Sequence, residues 1–424
     1  MNLGVLLIVV LLFLSLLGIP MGFALGISTL ITLYLGGMPY IVLPQSMYAG
    51  VDSFPLLAIP FFMLAGQLMS GGITNKIIAF SNALIGGIKG SLAAVTVVAS
   101  ALFSAISGSG VATVSAIGGI TIPAMKDQKY PGAFAAAVAS MASVLGPLIP
   151  PSIFLIVYGS ATETSIGDLF MAAVIPGVGL TLLLVGFVLV VAYKRNFPSF
   201  KPVGVKGIIR EGLNGIWALL MPILILGGIF LGIFTATEAA AVSAVYALLV
   251  SMFIYKDLNV KTMFSAFSKS ALTTATLLFV LGASKASSWV IVTSHLPQDL
   301  LQFFLSISKN PSVILLLVNF MLLIVGCIME ANCAIVMLSP LLLPFIQEFG
   351  ISPVHFGVVM ALNLCLGLVT PPMGGCILLG NIIAEEKLEQ TLKYTLPMLG
   401  IGIIWLLLVT YIPQLSLWLP SLSR

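Results

Sequence analysis

The sequence predicts an all-α integral membrane protein of two inverted-topology repeats. It should hold two re-entrant hairpins, two helices broken at Pro-Pro pairs and roughly ten spans besides. Three observations lead there. Of 424 residues, 60% are hydrophobic and 7% charged, whereas soluble domains carry about 25% charged residues. Pro123 precedes the pair Pro150 and Pro151 by the same interval that separates Pro344 from Pro371 and Pro372 (150 − 123 and 371 − 344). The offset of 221 between the two modules also pairs Gly146 with Gly367, each four residues before the first proline of its pair. A duplicated module of interrupted helices in an apolar chain marks a fold with a central site between its repeats.

The first repeat covers residues 1–195. Its opening MNLGVLLIVVLLFLSLLGIPMG has no basic leader and no small-residue cleavage site, so it reads as a first span. Orientation follows from loop charge. Lys194, Arg195, Lys201, Lys206 and Arg210 are met by no acid before Glu211, and Lys256, Lys261 and Lys269 mark a second basic loop. Both should be cytoplasmic. The stretches around Asp52, and around Glu163 and Asp168, hold no lysine or arginine and should lie outside, as should the N-terminus. Residues 90–125 run between Lys89 and Lys126, both inside, and their middle reads Ser107, Gly108, Ser109, Gly110. Two crossings need about 40 apolar residues and an outer loop, so a cytoplasm-entering hairpin fits better. The broken helix covers 132–158.

A linker, 196–209, leads to the second repeat, 210–424, with its hairpin at 312–347, entered from outside, and its broken helix at 354–384. Earlier spans match as well: Leu17, Gly18 and Ile19 pair with Leu231, Gly232 and Ile233 at an offset of 214, and Gly66 with Gly282 at 216. Offsets rising along the chain are those of a duplication with small insertions.

Backbone irregularity in lipid is tolerated where protein or a water-filled cavity takes over its hydrogen bonds. Pro150 and Pro151 lack an N–H, which frees the carbonyls of Gly146 and Pro147; Pro371 and Pro372 free those of Gly367 and Leu368. Freed carbonyls beside a hydroxyl-bearing hairpin tip form a cage of hard oxygens. With no carboxylate cluster, such a cage suits Na+ better than a divalent ion. The half-helices beginning at Ser152 and Met373, and the return limbs beginning near Val111 and Ala334, present unpaired N–H groups and favour an anion. Ser109, Gly110, Ser152, Met373 and Gly374 are therefore the candidate anion contacts, and the chain reads as a transporter.

Other polar residues divide. Glu330, ionisable at mid-membrane depth, is a functional candidate. Thr235 and Glu238 have capping-box spacing and are expected to cap a helix. Lys285 is either a substrate counter-ion or a snorkelling lysine. His295 and His355 fall near outer loops and should be surface residues. Cys327, Cys333, Cys365 and Cys376 form no CxxC pair and read as small buried hydrophobes. No basic run with interleaved aromatics suggests nucleic acid, and no Walker motif suggests ATP as the driving force.

The segments ISGSGVATVSAIGGITIPAM (Ile106–Met125), GPLIPPSI (Gly146–Ile153), GIFTATEAA (Gly232–Ala240) and GLVTPPMGG (Gly367–Gly375) resemble the large membrane subunit of tripartite ATP-independent periplasmic (TRAP) transporters, over about Leu17 to Trp405. The resemblance implies a bacterial inner-membrane importer of an organic acid anion, such as a C4-dicarboxylate or sialic acid. It also implies Na+ as coupling ion and no other cofactor, with a periplasmic substrate-binding protein and a small four-helix membrane subunit as partners. The two hairpins and broken helices should form a transport domain that carries Na+ and a carboxylate across, against a scaffold built from the remaining spans. Carried over, the cation sites are Ser107, Gly108, Ser109, Gly146 and Pro147 in the first repeat, and Gly326, Glu330, Asn332, Gly367 and Thr370 in the second. MEANC (Met329–Cys333) departs from the family's Asp and Thr pattern at this tip. Two other readings stand: a stand-alone Na+/carboxylate symporter of related fold, and an intramembrane serine hydrolase using SGSG with His295 or His355 as base.

Overall fold

A computed structural model describes residues 2–198, 204–372 and 374–422. Met373 and Lys201, singled out in the sequence, lie outside the described residues. Among those described, every regular element is a helix.

The duplication appears in the element boundaries. The entering limbs of the two hairpins, Ser91–Ser107 and Pro311–Ile328, end at the offset of 221 read from the prolines (328 − 107). Return limbs begin at Gly110 and Ala331 and end at Asp127 and Glu348, and the broken helices begin at Gly132 and Pro353, all at that same spacing. Turns repeat too: Lys129 and Gly350 both have positive φ, and both Pro-Pro bonds are cis. In the scaffold, Gly18 (φ 79) and Gly232 (φ 70) close matched helices, Leu3–Leu16 and Ile216–Phe230. The return limbs start three residues or fewer before the expected positions near Val111 and Ala334.

The broken helices form the centre. Every residue of Ala133–Ser143 and of Val354–Gly367 is buried, as an apolar helix without a polar face requires. Alanine, glycine and serine dominate the first of these, and small residues let helix backbones approach closely in lipid. The lipid-facing Ile166–Lys194, by contrast, has little of its surface covered. The two repeats interlock across this centre. Half-helix Gly375–Ala384 packs on Gly132–Ser143 and on the first hairpin's return limb, while Ile153–Thr162 packs on the second return limb, Ala331–Glu348.

Around the centre stand Met21–Leu35, the pair Val42–Val51 and Phe54–Leu68 bent by 62°, and the 34-residue helix Val260–Thr293, which packs on all of these and on Ala331–Glu348. Its counterpart in the first repeat is the bent pair, broken at Asp52 and Ser53. Thr235 and Glu238 form the expected capping box: the Glu238 N–H donates to the Thr235 hydroxyl at 3.3 Å, and the Thr235 N–H donates to the Glu238 carboxylate at 2.9 Å.

Loop contacts sort onto two faces. On the lysine-rich face, Lys126 donates to the Ala384 carbonyl (2.8 Å), Arg195 to the Tyr394 hydroxyl (2.9 Å) and Lys89 to Asn196 (3.0 Å). On the opposite face, Tyr158 donates to the Pro353 carbonyl (2.9 Å), Thr237 to the Phe54 carbonyl (3.2 Å) and Asn2 to Asp299 (2.8 Å). Each contact joins segments that loop charge places on one side.

Two expectations need correction. His355 is not a surface residue: it is 2% exposed, its Nδ1 lies 2.7 Å from the Ser416 hydroxyl and its Nε2 3.2 Å from the Thr410 carbonyl. The helix Gln414–Leu422 folds back over it. Length, too, fails to separate hairpins from crossings. Among the described residues six helices are long and apolar enough to cross a membrane, eight with the bent pairs, and two of the six are the limbs of the second hairpin.

Candidate functional site

At the first tip, Ser91–Ser107 ends at Gly108 in the left-handed region (φ 61), where glycine carries no steric penalty. Ser109 then caps the return limb, its hydroxyl accepting from the Ala112 N–H at 3.4 Å. The tip lies directly on the first break. A Cβ at Gly108 would sit 2.5 Å from the Pro151 carbonyl, and one at Gly146 would sit 2.6 Å from the Ser109 carbonyl oxygen and 2.7 Å from the Gly110 nitrogen. Ser107 pairs with the Thr113 hydroxyl at 3.3 Å, and Thr113 donates to the Ser109 carbonyl at 2.8 Å. Ser107, Gly108, Ser109, Gly110 and Gly146 thus come together. Pro147 behaves differently from a free cage carbonyl, because it accepts from the Ser152 hydroxyl. Ser152 in turn caps Ile153–Thr162 through the Leu155 N–H.

The second tip repeats the plan with other side chains. Glu330 is the repeat mate of Ser109, at the same offset of 221 (330 − 109), and does the same work, capping Ala331–Glu348 through the Cys333 N–H at 3.1 Å. Its other oxygen accepts from the Asn332 amide at 2.7 Å. The Asn332 Oδ1 is left buried with no hydrogen-bond partner, in a residue 5% exposed. Gly326 and Gly367 touch so closely that a Cβ on Gly367 would collide with the Gly326 carbonyl. The Thr370 hydroxyl donates to the Leu366 carbonyl at 2.8 Å. The carbonyl of Leu368, expected to be free, accepts from the Cys376 N–H at 3.0 Å, and that of Gly367 accepts from the Thr370 N–H at 3.1 Å. Gly374 is folded against the Leu368 and Thr370 carbonyls.

The two sites are neighbours through Gly110. A Cβ there would meet the Ser143 carbonyl of the first broken helix at 3.1 Å, and Cys376 Sγ and Leu368 of the second at 3.0 and 3.2 Å. Ser140 adds a bond across the same seam, donating to the Cys376 carbonyl at 3.1 Å. The first tip is therefore wedged between both breaks. Residues that sequence reasoning passed over include Thr113, Ser140, Ser143 and Ser104, whose hydroxyl is buried without a partner, while Cys376 is buried as expected but at this seam. Small polar residues on a helix buried on all sides were the available signal.

A cavity of about 500 Å³ opens beside the first tip, with Gln67, Ser107, Ser109, Ser115, Lys269 and Thr273 among its walls. Beside the second hairpin a smaller one, about 70 Å³, is lined by Gly50, Ser53, Ser160, Lys285 and Val336. Among the described residues no three of His, Cys, Asp or Glu gather as a metal-binding group. The oxygens on offer are carbonyls, hydroxyls, the Asn332 amide and the Glu330 carboxylate, a hard and mostly neutral donor set.

A family model for the DctM component of tripartite ATP-independent periplasmic transporters matches residues 8–415. The chain belongs to this family. This DctM component is 40% identical over 371 residues to a C4-dicarboxylate TRAP transporter large permease of Pseudomonas aeruginosa, covering 87% of each chain. It is 38% identical over 407 residues to a sialic acid TRAP transporter large permease of Vibrio cholerae (96% of this chain, 95% of that one). With an isethionate TRAP transporter permease of Oleidesulfovibrio alaskensis it shares 36% over 404 residues, 95% of this chain and 64% of the longer relative. Among solved structures, the YdaH transporter of Alcanivorax borkumensis, described as having an unusual topology, matches with a TM-score of 0.60 at 15% identity over 89% of this chain and 87% of that one. That likeness concerns the fold alone. The DctM component is accordingly a multi-pass membrane permease subunit, and both the family and the all-helical fold agree with the sequence.

Proposed function

We propose that this permease imports an organic acid anion into a bacterium across the inner membrane, driven by Na+. A periplasmic binding protein delivers the solute, a small membrane subunit braces the scaffold, and the N-terminus faces the periplasm. The observation that carries the reading is the wedge of Gly110 between both breaks, which gathers two oxygen-rich tip-on-break crossings into one place. Na+ binds among the tip and break oxygens: Ser107, Gly108, Ser109 and Gly146 in one half, Gly326, Asn332, Gly367 and Thr370 in the other. The orphaned Asn332 Oδ1 supports this, since a buried acceptor without a partner costs about 1–3 kcal/mol and a bound cation would relieve it. Glu330 positions Asn332 as the helix cap and adds negative charge nearby. The anion sits by Ser109, Gly110, Ser152 and Gly374, and a carboxylate is its expected headgroup. The C4-dicarboxylate, sialic acid and isethionate named for the relatives differ in size but share a negative charge.

The interlocked hairpins and broken helices would move as one body past the scaffold, like an elevator, exposing the site to each side in turn. A hydrolytic role finds no support in the hydrogen bonding: Ser107 and Ser109 pair with Thr113 and the Ala112 N–H, and His355 pairs with Ser416 and Thr410.

Uptake into proteoliposomes holding the permease and its small subunit, with binding protein outside, tests the reading. Accumulation of a labelled carboxylate is expected only with an inward Na+ gradient and only with the binding protein added. Accumulation without the gradient would overturn the coupling, and uptake without the binding protein would point to a stand-alone symporter.

A further inference from the structure

Both cavities beside the hairpins contain one charged residue each, and in each it is a lysine from the same scaffold helix, Val260–Thr293. The cavities are mates under the duplication. Val336 in the small one corresponds to Ser115 in the large one at an offset of 221 (336 − 115), and Ser53 corresponds to Lys269 at 216 (269 − 53). The lysines are not mates, since at the scaffold offset of 216 the position matching Lys285 is Met69 (285 − 216). A charge copied with the repeat would come once from each half, yet one helix supplies both. They stand four to five helical turns apart, about 24 Å along the helix axis, and each comes within nine residues of a helix end.

Their surroundings differ as two ends of a pathway would. Lys269 is exposed in the open 500 Å³ cavity. The nearest acid in the adjoining mouth, Asp257, is taken up by the Gly72 N–H at 2.6 Å. Lys285 is half-buried against Gly50, where a Cβ would lie 2.6 Å from the lysine Cβ, and the Ser53 and Ser160 hydroxyls bond at 2.9 Å in the wall of its small cavity. Lys285, facing a cavity among helices rather than lipid, is the kind of lysine expected to carry function, and Lys269 shares its cavity with the Ser107 and Ser109 side chains of the first tip.

We propose that Lys269 and Lys285 are the scaffold's anion-binding residues, Lys285 meeting the solute on the outer side and Lys269 on the inner side. The ligand class is a small organic carboxylate or sulfonate. This rests on the functional reading above, in which the moving hairpins hold the anion. The scaffold lysines then act at the two ends of its path.

The experiment is substrate exchange in proteoliposomes of the full complex, with succinate, N-acetylneuraminate and isethionate as probes and half-saturation measured separately for external and internal substrate. Lys269→Gln is expected to raise the internal value at least tenfold and the external value less than threefold. Lys285→Gln should do the reverse, and Lys→Arg at either position should restore most of the loss. Snorkelling lysines would move neither value, and that result, or equal changes on both sides, would overturn the assignment. If the wild-type complex carries none of the three anions under a Na+ gradient, the functional reading itself fails and this inference falls with it.

Discussion

Alanine at Gly108 is expected to lower transport at least a hundredfold while leaving the chain in the membrane. The residue sits at φ 61, and its Cβ would lie 2.5 Å from the Pro151 carbonyl. A left-handed non-glycine residue costs roughly 1–2 kcal/mol, and backbone that cannot yield must be pushed away as well. Gly367→Ala should act alike through the Gly326 carbonyl. Both changes prise a hairpin tip off its break without touching a lipid-facing surface. Gly186→Ala, on the lipid-facing helix Ile166–Lys194 with nothing within 4 Å of the added methyl, should transport normally. Uptake per unit of purified complex checks all three, and wild-type rates in Gly108→Ala and Gly367→Ala would contradict the tip-on-break geometry as the working site.

Asn332→Leu is expected to raise the Na+ concentration for half-maximal uptake at least tenfold, which corresponds to about 1.4 kcal/mol. The change keeps the side chain's bulk and removes the buried Oδ1 that lacks a partner. Glu330 loses its 2.7 Å bond with the amide but keeps its cap on the Cys333 N–H, so the helix start should survive. Substrate half-saturation at saturating Na+ should change far less. An unchanged Na+ dependence would remove Asn332 from the cation site.

Much of this is legible in the sequence because the signals are local or periodic. The spacing of Pro123 to Pro150 and Pro344 to Pro371 marks the duplication, and Gly108 beside Ser109 marks a tip. Thr235 with Glu238 marks a capped helix start. What sequence cannot supply are contacts between residues far apart in the chain. Nothing near Gly110 announces that it meets Leu368 and Cys376, because only the interlocking of the halves brings them together. Loop charge puts His355 near an outer loop, yet the structure buries it, since Gln414–Leu422, which covers it, has no motif that foretells its fold-back. Freed carbonyls are expected from the prolines' missing N–H groups. The side chain of Ser152 and the N–H of Cys376 take up those of Pro147 and Leu368, and which donors swing in depends on the turn beyond each proline pair.

The central claim is that the two hairpin tips, seated on the two breaks, are Na+ sites. Thermal unfolding of the purified chain in NaCl and in KCl at equal ionic strength tests it most directly, because a ligand bound only by the folded state stabilises it by mass action. The midpoint should rise with Na+ concentration and not with K+, and Asn332→Leu should need more Na+ for the same rise. Superimposable curves in the two salts would contradict the account.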